Sequence, residues 1–249
     1  MNKCYLLMPA LCLAVACSSE TTESGQVSTE VIWADMKVTS DGDQARVVAE
    51  LNVDGALGNN LKLTAGDKLT VTANGQTREL KEDHDFFDID YQAYLPFTTT
   101  NTSFSIQLTR ESKNQTLVST VQLPAAFRIY APQQGQNFRL DDSMYIAWQG
   151  LGGDKLIDIN YSARCTRKSD GNTFTQSATV NTSDDGSYEL VLNSLNAFKD
   201  ADINPSKPCT LTIYLSRTNT GIIDSKYKAG SSIRAVQQRT IEDLKVYLN

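Results

Sequence analysis

The densest run of ionisable residues is Glu82-Asp83-His84-Asp85-Phe86-Phe87-Asp88-Ile89-Asp90, which packs five carboxylates around the chain's single histidine. A hard cation such as calcium takes six to eight oxygen ligands, so Asp83, Asp85, Asp88 and Asp90 are the candidate cation ligands. The spacing is not that of an EF-hand loop, which needs a glycine at its sharp turn. Asp88 and Asp90 fall on one face of an extended segment and Ile89 on the other. The same run therefore also reads as a solvated loop leading into an amphipathic strand. His84 alone cannot build a zinc site, which needs three or four converging ligands. It also lacks the G-x-S-x-G partner that would make it a general base for a serine nucleophile. Phe86, Phe87, Tyr94 and Tyr130 are candidates for an exposed sugar or protein platform, so a sugar- or calcium-binding module would centre on residues 82–94. A glycan hydrolase needs only two carboxylates, but no pair is marked out. The chain is predicted to be non-catalytic and to carry no cofactor.

A different chemistry is written at the N-terminus. Lys3 precedes an apolar run over residues 5–15 that Pro9 interrupts. That run falls short of the roughly 20 apolar residues of a membrane-spanning helix and has the length of a signal-peptide core. Ala14-Val15-Ala16 fits an ordinary signal-peptidase site, which would leave Cys17 as a free thiol. The series Leu13-Ala14-Val15-Ala16-Cys17 also resembles the lipobox of bacterial lipoproteins. That resemblance implies cleavage before Cys17, a diacylglyceryl group on its sulfur and an acyl chain on its amine, two lipid signals that suffice for stable anchoring. Ser18 and Ser19, which are not acidic, imply sorting to the outer membrane of a Gram-negative cell. The expected location is thus the outer membrane, lipid-anchored, with the membrane as one partner.

With Cys17 taken by lipid and Cys4 and Cys12 lost with the signal peptide, Cys165 and Cys209 remain. An even pair in an oxidising compartment predicts a disulfide. No C-x-x-C spacing supports a redox or metal site instead. The full chain has 23 basic and 29 acidic residues, a formal net charge of −6. That balance argues against nucleic acid as a partner.

Period-two alternation dominates the chain beyond the signal segment. Ile32, Ala34, Met36 and Val38 alternate with polar residues, as do Ala45, Val47, Ala49, Leu51 and Val53. Such runs, separated by turn signals such as Asn74-Gly75, predict antiparallel strands in a sandwich. Pro124-Ala125-Ala126 marks a boundary, after which a second β series begins. Cys165 ends one inward-facing series and Cys209 begins another, an arrangement suited to antiparallel neighbours. With Trp148 upstream, the second module resembles an immunoglobulin-like sandwich, although antibody domains place the tryptophan between the cysteines. The predicted organisation is a signal peptide over 1–16, a lipidated cysteine and flexible tether over 17–30, a β-sandwich over 31–124 and an Ig-like β-sandwich over 125–249. The fold class is all-β, with two tandem antiparallel sandwiches. Residues 233–248 fit both a strand and a helical period. The expected role is that of an envelope interaction or scaffold protein with a protein partner.

Overall fold

The structure, a computed structural model, describes residues 21–84, 89–152 and 154–248. The predicted signal peptide and Cys17 lie outside the described residues, as do Asp85, Phe86, Phe87 and Asp88. The described chain is all-β, built as two packed sandwiches. Among the described residues, no helix is long and apolar enough to cross a membrane.

The first sandwich follows directly from alternation. One layer holds β1 (Thr21–Glu23), β2 (Ile32–Ser40), β3 (Ala45–Val53) and β4 (Asn60–Lys62), with β7 (Lys81–His84) and β8 (Ile89–Leu95) continuing from β3. The other holds β5 (Lys68–Ala73), β6 (Gln76–Glu79), β9 (Ser103–Arg110) and β10 (Gln115–Gln122) in the order β10-β9-β5-β6. Ile32, Ala34, Met36 and Val38 on β2 are buried against Phe104, Ile106 and Leu108 of the opposite layer, all within one core. The β5–β6 hairpin turns at Asn74-Gly75, where both residues take positive φ (45° and 77°) as a type I′ turn requires.

The second sandwich has β11 (Ile129–Ala131), β13 (Ser143–Trp148) and β16 (Ser187–Val191) as one sheet. Against it lie β12 (Asn137–Arg139), β14 (Leu156–Thr166), β15 (Thr173–Ser183), β17 (Cys209–Thr220) and β18 (Ser232–Tyr247). Cys165 and Cys209 form the expected disulfide across β14 and β17, with their Cα atoms 4.4 Å apart. Both cysteines sit in the second core. Closing a loop with a sequence separation of 44 stabilises the fold by about 4 kcal/mol through chain entropy.

The segment that fits both a strand and a helical period is strand β18, and it serves both sandwiches. Its first half, from Ser232 to Gln237, pairs in parallel with β2 of the first sandwich, while its last residues pair with β12 of the second. Along its length it pairs antiparallel with β17. The two layers thereby fuse into one continuous sheet in the order β1-β4-β3-β2-β18-β17-β14-β15. Ile233 and Ala235 are buried in the first core, whereas Ile241, Leu244 and Val246 are buried in the second. A bulge lies within the second set, between Ile241 and Leu244. Leu211 pairs with Leu244 but Ile213 pairs with Ile241, and Asp243 takes a φ of 59°. The extra residue shifts the alternation so that Ile241 and Leu244 both turn into the second core.

Two sequence expectations need correction. The boundary at 124/125 splits the β series but not the cores, because the first core also takes Tyr227, Ile233 and Ala235 from the far end of the chain. The predicted tether over 17–30 is, from Thr21 onward, part of the fold. β1 pairs with β4, and Ser24 and Thr29 are buried. These residues lack an apolar period because they are held by polar contacts rather than by burial of apolar side chains.

The loop between β17 and β18 reaches over the first sandwich and covers the open edge of β10. Ile222 N–H donates to Thr120 O (2.8 Å), and Thr120 N–H returns a bond to Ile222 O (2.9 Å). Val118 N–H donates to Asp224 Oδ2 (2.8 Å). The approach depends on Gly221, where a Cβ would stand 2.2 Å from Thr120 O and 2.7 Å from Val121 Cβ. Gly221→Ala is therefore expected to lower stability by about 1–3 kcal/mol, the usual range for overpacking. Chemical denaturation checks this, and an unchanged midpoint would show that the loop can move aside at no cost.

Candidate functional site

Of the predicted cation ligands, Asp83 and Asp90 are among the described residues and lie side by side on neighbouring strands. Asp83 of β7 pairs with Asp90 of β8, Asp90 with Glu50 of β3, and Glu50 with Asp35 of β2. Four carboxylates thus form one row across four strands. Like charges directly opposite each other destabilise a sheet unless something compensates them, and here the compensation comes from the chain itself. Arg234 of β18 grips Asp35 with two parallel bonds (2.8 and 2.9 Å). Gln92 Nε2 donates to Asp83 Oδ2 (2.6 Å), and Asn52 Nδ2 donates to Glu50 Oε1 (2.7 Å). The adjacent register row carries Arg234, Lys37, Gln92 and Lys81. Burial, and then the neighbouring Arg234 charge, push the Lys37 amine below the usual lysine range. His84 Nε2 lies against Glu82 Oε1. Among the described residues, no group of three or more His, Cys, Asp or Glu side chains is placed to hold a metal ion. Asp85 and Asp88 fall outside those residues. Of the candidate aromatics, Tyr94 and Tyr130 are both exposed, on different sandwiches.

The most organised polar chemistry is elsewhere, in two buried arginine–aspartate pairs. Each arginine continues the inward face of its strand. Phe104, Ile106 and Leu108 on β9 are followed by Arg110; Cys209, Leu211, Ile213 and Leu215 on β17 are followed by Arg217. A charge buried this deeply must be paired and hydrogen-bonded, and both are.

Arg110 Nε donates to Asp67 Oδ2 (3.2 Å), its Nη1 to Thr29 Oγ1 (3.0 Å) and its Nη2 to Val27 O (3.0 Å) and Ser24 O. Asp67 also accepts from Glu111 N–H (3.0 Å). The guanidinium thus fastens the segment entering the first sandwich.

Arg217 does the same for the second. It holds Asp184 with Nε (2.7 Å) and Nη2 (2.9 Å), and Asp184 Oδ1 also accepts from Trp148 Nε1 (2.7 Å). The remaining donors reach Ala125 O (3.0 Å), Ala126 O (3.4 Å) and Gln149 O (2.6 Å). The guanidinium carbon lies 4.6 Å from the centre of the Phe127 ring, with that of Arg239 5.4 Å from the same ring. Burial, and to a smaller degree the charge on Arg217, push the Arg239 pKa down, while Asp41 and Asp43 oppose the shift. Asp184, which the sequence presents as part of an Asp-Asp-Gly turn, is fully buried and takes an internal guanidinium as its cation. The signal that could have revealed both pairs is a lone arginine on the inward parity at the end of an apolar series.

Two buried tyrosines of the first core contrast. Tyr91 Oη accepts from Leu63 N–H (2.9 Å) and donates to Leu61 O (3.0 Å), tying β8 to the chain around β4. Burial pushes its hydroxyl up to about 12. The Tyr227 hydroxyl is buried with no hydrogen-bond partner, and burial raises its pKa further.

The strand pairing and the two cores define an all-β protein of two packed β-sandwiches. No family model and no curated protein matches the chain. Among solved structures, it is similar to the titin domains z1z2 in complex with telethonin, with 13% identity, 90% of this chain and 98% of that one covered, and a TM-score of 0.24. Fibronectin(III)-like modules of Clostridium thermocellum CbhA match at 10% identity over 83% of this chain and 91% of that one, with a TM-score of 0.21. A pullulanase from an Anoxybacillus species matches at 8% identity over 73% of this chain and 24% of that one, with a TM-score of 0.23. At these TM-scores the likenesses add nothing to what the strand pairing itself defines.

Removing one member of a buried ion pair leaves the other uncompensated and costs about 3–5 kcal/mol. Asp184→Asn is expected to lose that much and to change the emission of Trp148, whose indole N–H it satisfies. A denaturation curve followed by tryptophan fluorescence reads both, and a midpoint equal to wild type would contradict the assigned role. For Tyr91, the native state holds the phenolic proton more tightly than the unfolded chain does. Its contribution is complete below pH 10 and falls as pH rises from about 10 to about 12. Tyr91→Phe should cost about 1–3 kcal/mol at neutral pH by orphaning Leu63 N–H, and should make the alkaline loss shallower. Parallel slopes for the two proteins between pH 10 and 12 would count against this.

Proposed function

We propose that the chain is a non-catalytic lipoprotein of a Gram-negative envelope, anchored in the outer membrane through Cys17, whose sandwiches form a rigid body for engaging a protein partner. The observation that supports this reading best is the use made of the buried charges. Arg110 and Arg217 spend their donors on the two segments that enter the sandwiches, Ser24–Thr29 and Ala125–Ala126, rather than lining a cleft. Strand β18 then joins both sandwiches through one sheet. Such a body, fixed at its N-terminal side, suits a scaffold that holds a surface at a set orientation above a bilayer. Its net negative charge suits a protein partner better than nucleic acid or an anionic lipid surface.

The anchoring half of the proposal is tested by Cys17→Ala. The wild-type chain is expected in the outer-membrane fraction and to incorporate a labelled fatty acid. The variant is expected to lose the label and move to the soluble fraction. An unlabelled wild type, or an unchanged distribution of the variant, would overturn the lipid anchor.

A further inference from the structure

An open strand edge invites pairing with another chain, and proteins blunt such edges by keeping them short, charged or covered. Most of the edges here are treated in that way. β1, β11 and β12 have three residues each. β6 and β7 have four, and both carry charge. β16 has five residues and includes Glu189. β10 is eight residues long and uncharged, but the loop carrying Ile222 and Asp224 covers it.

β15 is the exception. It runs for eleven residues, Thr-Phe-Thr-Gln-Ser-Ala-Thr-Val-Asn-Thr-Ser, with no charge and no proline. One side pairs with β14 over its whole length, and among the described residues no strand pairs with the other. Its outward face is already a polar ladder. Ser177 Oγ donates to Ser162 Oγ (3.1 Å), Asn181 Nδ2 donates to Asp158 Oδ1 (2.7 Å), and Thr179 bonds Asn160.

We propose that this edge pairs with the β15 edge of a second copy of the chain, antiparallel about a two-fold axis at Ala178. Two observations select a copy of itself. The sequence is nearly self-complementary in that register: Thr173 meets Ser183, Thr175 meets Asn181 and Ser177 meets Thr179, so each outward pair is small and polar, and the smallest side chain sits at the axis. The chain as a whole carries a net negative charge and repels its own copies, yet this edge places no charge opposite another. An isologous contact of this kind closes at two chains and extends the continuous sheet across the dimer.

The test is sedimentation of the full chain over a dilution series, in the Cys17→Ala background so that acyl chains cannot drive association. The starting chain is expected to show twice the monomer mass, falling to the monomer mass on dilution. Ser177→Lys with Thr179→Lys places like charges opposite each other twice and should give monomer throughout. Ser177→Lys with Thr179→Glu places opposite charges there and should keep the dimer. Thermal melts check that the exposed substitutions leave the fold intact. Monomer mass at every concentration would give the edge to a foreign extended segment and overturn the proposal, as would a dimer that survives the double lysine change. Loss of dimer in the lysine–glutamate variant would overturn the register about Ala178.

Discussion

The bidentate bond between Arg217 and Asp184 is the point at which the molecule's parts meet. Asp184 closes the end of β15 and satisfies the indole of Trp148 from β13. Arg217 lies on β17 and reaches the backbone of Ala125, Ala126 and Gln149. One buried charge pair therefore ties both layers of the second sandwich to the segment linking it to the first. Buried pairs are costly to form because each ion must leave water, and an apolar substitute of equal volume is often as stable. What the ions supply here is direction. A guanidinium offers five donors in a fixed plane, and an apolar side chain in its place would leave several carbonyls without partners.

The first sandwich repeats the device with different sequence. Arg110 ends β9 and Asp67 immediately precedes β5, and the guanidinium again spends its other donors on the entering segment. In both modules the arginine is the last inward residue of a strand whose earlier inward positions are apolar. The core thus passes from dispersion to charge at the end where the chain enters, and the backbone of the entering segment is satisfied without a regular strand.

Much of this was legible in the residues. Alternation in β2, β3, β9 and β14 assigns their buried faces correctly, and Asn74-Gly75 marks its hairpin. The pairing of Cys165 with Cys209 follows from their inward parity. Three features were not legible, each for a physical reason. β18 mimics a helical period because its bulge offsets the alternation between Ile241 and Leu244, so apolar residues recur at mixed intervals. The buried arginines are hidden because parity is normally read from apolar residues alone. The order of residues 21–30 depends on Arg110, whose sequence position is more than eighty residues away, and local composition cannot report such a contact. Of the carboxylates in 82–90, Asp83 and Asp90 join a row that runs across four strands, and spacing along one strand cannot report neighbours on others.

The parallel pairing of β2 with β18 also sets the order in which the protein can be made. Asp35 and Ser232, which lie side by side, are 197 residues apart in sequence. At synthesis rates of roughly 5–20 residues per second, β2 waits on the order of 10–40 s for its neighbour. Until then the first core lacks Ile233 and Ala235, and β2 presents an unpaired edge. Completion of the first core is therefore deferred until Ile233 and Ala235 have been made.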